Sequence, residues 1–145
     1  MQDLPRIYLV DTNIFLEVML SQNRKEECKK FLSLLRNGRV KGIITDFTIH
    51  SIMVLMSNLK KLKELEAFLK SLTAYKGLSI YMTSLIDEIK AIELAEETGL
   101  DIDDAILYAV ALSIEAYAIL SFDKDFDNLK VPRKEPMQII GEKDF

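Results

Sequence analysis

The chain has 145 residues, of which 49% are hydrophobic, and its formal net charge is −4. This length is enough to bury one sizeable core and is short for two domains, so we predict a single domain over residues 1–145. The negative charge argues against a protein that holds nucleic acid by bulk electrostatic attraction. It does not exclude a nuclease, because carboxylates that bind a metal ion lower the net charge by themselves.

The sequence also argues against membrane insertion and disulfide bonding. No stretch reaches the roughly 18–20 uncharged apolar residues that a membrane helix needs, and the opening MQDLPRIYLVD lacks the pattern of a signal peptide. Cys28 is the single cysteine, so it can form neither an internal disulfide nor a thiolate metal cluster by itself. We therefore expect a cytoplasmic protein with no membrane partner.

The first half of the chain alternates strand patterns with helix patterns. The continuous apolar run over residues 7–10 is typical of a strand buried on both faces, and it ends at Asp11. Further strands are predicted over residues 40–44 and 78–82. Helices are predicted over residues 14–20, 24–36, 47–59 and 62–72, where apolar side chains recur at spacings of three and four.

The second half continues the alternation. Ser84, with Asp87 and Glu88 soon after it, resembles a capping box for a helix that extends to Thr98, and Gly99 is suited to end that helix. Another helix is predicted over residues 101–117 and a strand over residues 117–122. A polar turn over residues 123–127 and a last short strand over residues 138–140 complete the pattern.

This alternation predicts an α/β fold. Parallel strands joined by right-handed helical crossovers give a three-layer α/β/α sandwich, with a central parallel sheet of four to five strands and residues 7–10 in its centre. Every strand then has its carboxyl end at the same edge of the sheet.

Carboxylates from three distant segments converge on that edge. Asp11 and Asp123 lie at or just past the ends of strands, and Asp103 and Asp104 begin the helix predicted over residues 101–117. Ligands bind at this edge in open α/β sheets. Because close carboxylates repel one another unless a cation shares them, the set favours Mg²⁺ or Mn²⁺. A single histidine and a single cysteine argue against zinc.

Each acidic residue also has a structural explanation. Asp11 can cap the helix that follows it. Asp101 and Asp104 stand three apart, as a capping pair does. A simple turn explains Asp123 and Asp125. Only the joint position of these residues favours a metal site.

Three motifs resemble those of the PIN-domain family. They are LVDTN at residues 9–13, DAI at residues 104–106 followed by Ala109 and Ala111, and SFDKDF at residues 121–126. Their order and spacing agree with the family, and the resemblance spans nearly the whole chain. The last motif is the most specific. Within the family, VapC-like toxins are the members that this short form is most similar to.

The resemblance implies a metal-dependent endoribonuclease, the toxin of a toxin–antitoxin pair, that hydrolyses RNA phosphodiester bonds with Mg²⁺ or Mn²⁺. It implies that Asp11, Asp104 and Asp123 are catalytic and bind the metal, with Asp125 as a further ligand. The supporting residues that it implies are Thr12, Asn13, Asp103 and Ser121. Its implied partners are RNA, an antitoxin protein and a second copy of the chain in a homodimer.

The sequence departs from the family at one position. The family supplies a glutamate from the helix after the second strand, and this helix reads DFTIHSIM over residues 46–53, with no glutamate before Glu64. Alignment on the strand end gives His50 or Ser51 in its place. Asp46, one turn before His50, is a third candidate, with helix capping as its structural alternative.

Two other function classes stay open beside the ribonuclease. The missing glutamate favours a catalytically degenerate PIN-like module that binds RNA or protein. A phosphotransfer or phosphatase site with Asp11 as the nucleophile is the other class, but the sequence offers no convincing lysine at a strand end after Asp104.

Overall fold

The computed structural model describes residues 6–142. The domain predicted over residues 1–145 therefore includes two short segments, residues 1–5 and 143–145, that lie outside the described residues. The strands are β1 Ile7–Val10, β2 Lys41–Thr45, β3 Leu78–Tyr81, β4 Ala118–Leu120 and β5 Arg133–Lys134. The α-helices are α1 Thr12–Met19, α2 Lys25–Arg36, α3 Asp46–Asn58, α4 Leu62–Leu72, α5 Leu85–Thr98, α6 Ile102–Ser113 and α7 Pro136–Glu142. None of these helices is long and apolar enough to cross a membrane.

The five strands form one parallel sheet in the order β3-β2-β1-β4-β5. β1 lies in the centre, and Leu9 pairs with Ile43 of β2 on one side and with Ile119 of β4 on the other. This position explains the apolar composition of β1, because a central strand in a sheet covered on both faces has no side chain directed at water. The predicted parallel sheet with residues 7–10 in its centre is confirmed.

Helices cover both faces of the sheet. Tyr8 and Val10 point to one face, where they belong to a core that also includes buried residues of α1, α2, α3, α4 and α7. Leu9 and Ile119 point to the other face, where they pack with Leu107 and other residues of α6. The α5 helix packs on α6 through Ala91. The fold is the predicted three-layer α/β/α sandwich.

The predicted ends of α5 are observed as well. The Ser84 hydroxyl accepts a hydrogen bond from the backbone N–H of Asp87 at 3.1 Å, and the Asp87 carboxylate accepts one from the N–H of Ser84 at 2.9 Å. Gly99 ends the helix at φ +78°, in the left-handed region that favours glycine.

The strand predicted over residues 138–140 is wrong. These residues belong to α7, and the fifth strand is Arg133–Lys134. Pro136 lies in the first turn of α7, where the missing N–H of proline has no cost. A short apolar run fits a strand and a buried helix equally well, and Ile139 is fully buried in the core of the first face.

The helix predicted over residues 101–117 ends early, at Ser113. Glu115 takes φ +53°, and the N–H of Ala116 bonds back to the carbonyl of Ala111 at 2.9 Å, which together close the helix as a glycine would. The strand predicted over residues 117–122 is correspondingly limited to residues 118–120. Residues 121 and 122 therefore leave the strand and lie at the edge of the sheet.

Candidate active site

The order in which strands are added to the sheet reverses between the neighbouring strands β1 and β4. From β1 it proceeds to β2 and β3 on one side, and it then returns to place β4 on the other side of β1. The crevice at the carboxyl ends of two such strands is the usual ligand site of an open α/β sheet. Asp11 follows β1 directly, and its N–H bonds to the carbonyl of Leu120 in β4 at 3.0 Å.

The carboxylate of Asp11 is held by three donors. Its Oδ1 accepts a hydrogen bond from the N–H of Thr12 at 2.7 Å, so Asp11 is the N-cap of α1. Its Oδ2 accepts bonds from Ser121 Oγ at 2.6 Å and Asn13 Nδ2 at 3.3 Å. Burial nevertheless raises the pKa of Asp11 above its ordinary value, and the charges of nearby aspartates add to this rise. Asp11 therefore caps α1, but capping does not explain the burial of its carboxylate or its raised pKa.

Ser121 joins the ends of β1 and β4. Its side chain is fully buried. Its Oγ donates to Asp11 and accepts hydrogen bonds from the N–H of Asp123 at 2.9 Å and from Asn13 Nδ2 at 3.3 Å. One hydroxyl therefore fixes the carboxylate of Asp11 relative to the backbone of Asp123.

Asp104 lies in the first turn of α6. Asp101 is the N-cap of this helix but makes no side-chain capping bond. Within residues 6–142 the Asp104 carboxylate accepts no hydrogen bond. Burial raises the pKa of Asp104 to about 7, and repulsion from Asp103, Asp123 and Asp11 contributes to the rise. The surroundings of Asp104 therefore destabilise its charged form, whereas a carboxylate that caps a helix would be stabilised.

Four of the acidic residues share one cleft. Asp104, Asp123 and Asp125 each offer an oxygen within 4.8 Å of the others, and Asp101, Asp103 and Asp104 form a second such group. The carboxylates of Asp11, Asp103, Asp104 and Asp123 line a cleft of about 310 Å³. Asp125 is exposed, and its N–H bonds to Asp123 Oδ1 at 2.9 Å, so the predicted turn role also holds.

The donor set of this cleft suits a hard divalent cation. Carboxylate oxygens converge there, Thr12 and Asn13 add further oxygens, and no histidine or cysteine lines the cleft within residues 6–142. Mg²⁺ and Mn²⁺ prefer such oxygen ligands, whereas zinc sites are built from nitrogen and sulfur. The residues fit a Mg²⁺ or Mn²⁺ ion.

The three uncertain residues of α3 take different positions. Ser51 lines the acidic cleft, where its Oγ donates to the carbonyl of Phe47 at 3.0 Å. His50 is exposed and lines an adjoining apolar groove instead. Asp46 lines neither: its carboxylate accepts bonds from Thr83 N–H at 2.8 Å and Thr83 Oγ1 at 2.7 Å.

The environment of Asp46 identifies it as a structural residue. Burial alone would raise its pKa, but the bonds from Thr83 lower the pKa below its ordinary value. The cap of α3 is Thr45, whose Oγ1 accepts from the N–H of Thr48 at 3.0 Å. Asp46 thus ties the start of α3 to the segment after β3.

Comparison with known proteins decides the family. The PIN domain model matches residues 8–132. The chain belongs to the PIN domain family. No curated protein matches it.

Solved structures with this fold include several VapC toxins. A toxin–antitoxin complex from Klebsiella pneumoniae matches with a TM-score of 0.69 at 23% identity, over 89% of this chain and 97% of that chain. VapC20 from Mycobacterium tuberculosis, a toxin that cleaves the sarcin–ricin loop, matches with a TM-score of 0.66 at 16% identity, over 81% and 91%. VapBC2 from Rickettsia felis, bound to a promoter DNA fragment, has a TM-score of 0.66 at 19% identity, over 89% and 98%. At these identities the likeness concerns the fold.

Of the two α3 positions that the sequence suggested in place of the family glutamate, Ser51 lines the acidic cleft and His50 does not. Phe47 and Thr48, which were not predicted as site residues, line the same cleft. They precede Ser51 by four and three residues, a spacing that puts side chains on one helix face. That spacing would have identified both residues if Ser51, and not His50, had been predicted to face the cleft.

Proposed function

We propose that this PIN domain is a metal-dependent endoribonuclease that hydrolyses RNA phosphodiester bonds and serves as the toxin of a toxin–antitoxin pair. The observation that carries the proposal is the convergence of Asp11, Asp104 and Asp123 in one cleft, with no salt bridge to any of them within residues 6–142. Family membership supports an enzyme of the nuclease class.

Asp11, Asp104 and Asp123 would hold Mg²⁺ or Mn²⁺, with Asp125 beside them. A bound ion of this kind lowers the pKa of a water molecule and offsets the charge that develops on a phosphate during hydrolysis. The protein itself supplies orientation: Ser121 and Asn13 hold one oxygen of Asp11 by hydrogen bonds. No side chain has to act as a covalent nucleophile.

The proposed partners follow from the related structures. VapC20 is described as a toxin that cleaves the sarcin–ricin loop, which supports RNA as the substrate of this chain. The Klebsiella pneumoniae structure is a toxin–antitoxin complex, which supports an antitoxin partner. A cytoplasmic location is part of the same proposal.

A homodimer is also part of the proposal. The edge strand β3, the segment that follows it and helix α5 expose several large apolar side chains, and exposed apolar surface is typical of an interface when it is extensive. The exposed residues are Ile80, Met82, Leu85, Ile86, Ile89 and Ile92.

A catalytically degenerate binding module is the second candidate. The observation that favours it is Ser51, a neutral residue with its hydroxyl bonded to its own helix, where the family has a metal-binding glutamate. Such a module would keep the fold and the cleft but would bind RNA or protein without cleaving it.

Manganese titration combined with an RNA cleavage assay tests the proposal. Because a ligand that binds only the folded state stabilises it, a Mn²⁺ concentration of 100 times its Kd should raise the free energy of unfolding by about 2.7 kcal/mol, seen as a higher Tm that EDTA reverses. Asp123→Asn should lower Mn²⁺-dependent cleavage by about 100-fold or more. Glu96→Gln, the same chemical change on the exposed face of α5, should leave cleavage unchanged.

The other outcomes assign the function differently. Mn²⁺ stabilisation without cleavage of any RNA would favour the degenerate module. A Tm that does not respond to Mn²⁺ or Mg²⁺ would show that the proposal is wrong.

A further inference from the structure

Arg133 contacts the backbone of the residue that joins the two halves of the site. Its Nη1 donates a hydrogen bond to the carbonyl of Ser121 at 3.1 Å, and the N–H of Ser121 donates to the carbonyl of Lys134 at 3.0 Å. Both backbone polar groups of Ser121 are therefore bound by β5. The Ser121 hydroxyl is left to serve Asp11, Asn13 and Asp123.

The guanidinium of Arg133 is itself fixed in direction. Its Nε donates to Asp127 Oδ1 at 2.8 Å, and its Nη1 also donates to Glu135 Oε2 at 2.8 Å. Only 13% of the side chain is exposed. A planar guanidinium with several donors in fixed geometry can satisfy these acceptors together, whereas the single ammonium group of lysine cannot.

A second arginine supports the first from the start of α2. Arg24 Nη2 donates to Glu135 Oε1 at 2.7 Å, so one carboxylate bridges two guanidinium groups. The Arg24 guanidinium also lies over the ring of Phe122, 4.2 Å from its centroid. The two arginines thus hold two consecutive residues, the backbone of Ser121 and the side chain of Phe122, directly before Asp123.

This support has a reason in the charges of the cleft. Asp104, Asp123 and Asp125 each have a carboxylate oxygen within 4.8 Å of the others, and the repulsion between like charges at this range favours any movement that separates them. Ser121 resists that movement because its hydroxyl joins Asp11 to the Asp123 backbone, and it can do so only if its own backbone stays in place. The ion-paired arginines at the start of α2 and in β5 hold this segment in place without adding charge to the cleft.

We propose that Arg133 is a positioning residue of the metal site, which acts through the Ser121 carbonyl and is held in place by Glu135 and Arg24. It touches neither substrate nor metal. Its effect on metal affinity rests on the proposed function, whereas its effect on Ser121 does not.

Three variants separate positioning from general stability. Arg133→Met removes the donors, and Arg133→Lys keeps the positive charge without the guanidinium geometry. Ser84→Ala removes the capping box of α5 and serves as the matched control, because it costs about 1 kcal/mol of stability away from Ser121. Hydrogen exchange of the Asp123 amide is measured without metal, relative to the amide of Leu9 in β1, and Mn²⁺ affinity is measured by calorimetry.

Both Arg133 variants should accelerate exchange of the Asp123 amide at least about tenfold relative to Leu9, because its acceptor, Ser121 Oγ, is no longer held. They should raise the Kd for Mn²⁺ by about tenfold, as the loss of an outer partner of a metal ligand does. Ser84→Ala should change neither the exchange ratio nor the Kd.

An Asp123 exchange ratio that stays at the wild-type value in both Arg133 variants would overturn the inference. So would an exchange ratio that changes equally in Ser84→Ala. If the wild-type protein binds no Mn²⁺, the proposed function fails, and the exchange ratio alone then decides whether Arg133 positions Ser121. If Arg133→Met does not fold, Arg133→Lys gives the same two measurements.

Discussion

Two groups of carboxylates lie near the end of β4, and their environments are opposite. In the acidic cleft, burial and neighbouring aspartates raise the pKa of Asp104 to about 7. In the ion-pair cluster that Glu135 forms with Arg133 and Arg24, hydrogen bonds from the two arginines lower the pKa of Glu135 below its ordinary value. Asp11 of the cleft contacts Ser121 directly. Glu135 contacts Arg133 and Arg24, which in turn contact Ser121 and Phe122.

The arginines near the end of β4 pair with the second group of carboxylates and not with the first. Two arginines are close enough to support Ser121 and Phe122. Arg24 pairs with Glu27 and Glu135, Arg133 pairs with Asp127 and Glu135, and within residues 6–142 neither arginine pairs with an aspartate of the cleft. A fold that needed only stability would be expected to pair the buried acids first, because an unpaired buried charge is costly. The cleft instead keeps net negative charge, which is the condition for binding a cation.

Neutralising one carboxylate in each group should change the stability of the protein in opposite directions. Glu135→Gln should lower the free energy of unfolding by about 1 kcal/mol or more, because it removes the charge from two arginine pairs. Asp104→Asn should leave the metal-free protein as stable or raise its stability by up to about 1 kcal/mol, since one of several repelling charges disappears. Urea denaturation at pH 7.5 in EDTA measures both, and two changes of the same sign would contradict the comparison.

Adding a carboxylate to the cleft should strengthen metal binding. Ser51→Glu should lower the Kd for Mn²⁺ by about tenfold and raise cleavage, since a further carboxylate adds both a ligand and a charge. His50→Glu is the matched control, because it adds the same charge one residue away on the exposed groove. Calorimetry with both variants checks the assignment. Equal effects would mean that net charge matters and position does not.

The smallest expected effect is the pH dependence of stability. Between about pH 4 and pH 7 the folded protein keeps a proton on Asp104 that the unfolded chain has lost, so the metal-free protein loses stability as pH rises through this window. Above pH 7 this contribution is constant. Asp104→Asn should flatten that part of the profile measured by urea denaturation in EDTA. The lowered pKa of Glu135 acts in the opposite sense, because stability is lost as pH falls below its ordinary value.

Much of the fold was predictable because its determinants are local. The capping box at Ser84, the stop at Gly99 and the apolar run of β1 each depend on a few neighbouring residues. The failures also have local causes. The run at residues 138–140 suits a helix and a strand equally, and Glu115 adopts a left-handed conformation that the sequence does not mark with glycine.

The candidate site was predictable only in part. The aspartates were identified because strand ends and a motif place them at one edge, and the structure brings Asp11, Asp104 and Asp123 to one cleft. The choice between His50 and Ser51 depends on the rotation of α3 about its axis, which its weakly amphipathic sequence leaves open. The arginine cluster was missed because Arg24 and Glu135 are 111 residues apart.

The return of the chain to β4 beside β1 has a consequence for synthesis. The hydrogen bond from Ser121 to Asp11 closes a loop of 110 residues, so Asp11 leaves the ribosome long before its partner. At about 5–20 residues per second, the interval between them is on the order of 5–20 s. During this time β1 lacks its neighbour on one side, and the carboxylates of the cleft are not yet gathered. For a nuclease proposed to be toxic, this topology delays the first active molecule until nearly the whole domain has been made.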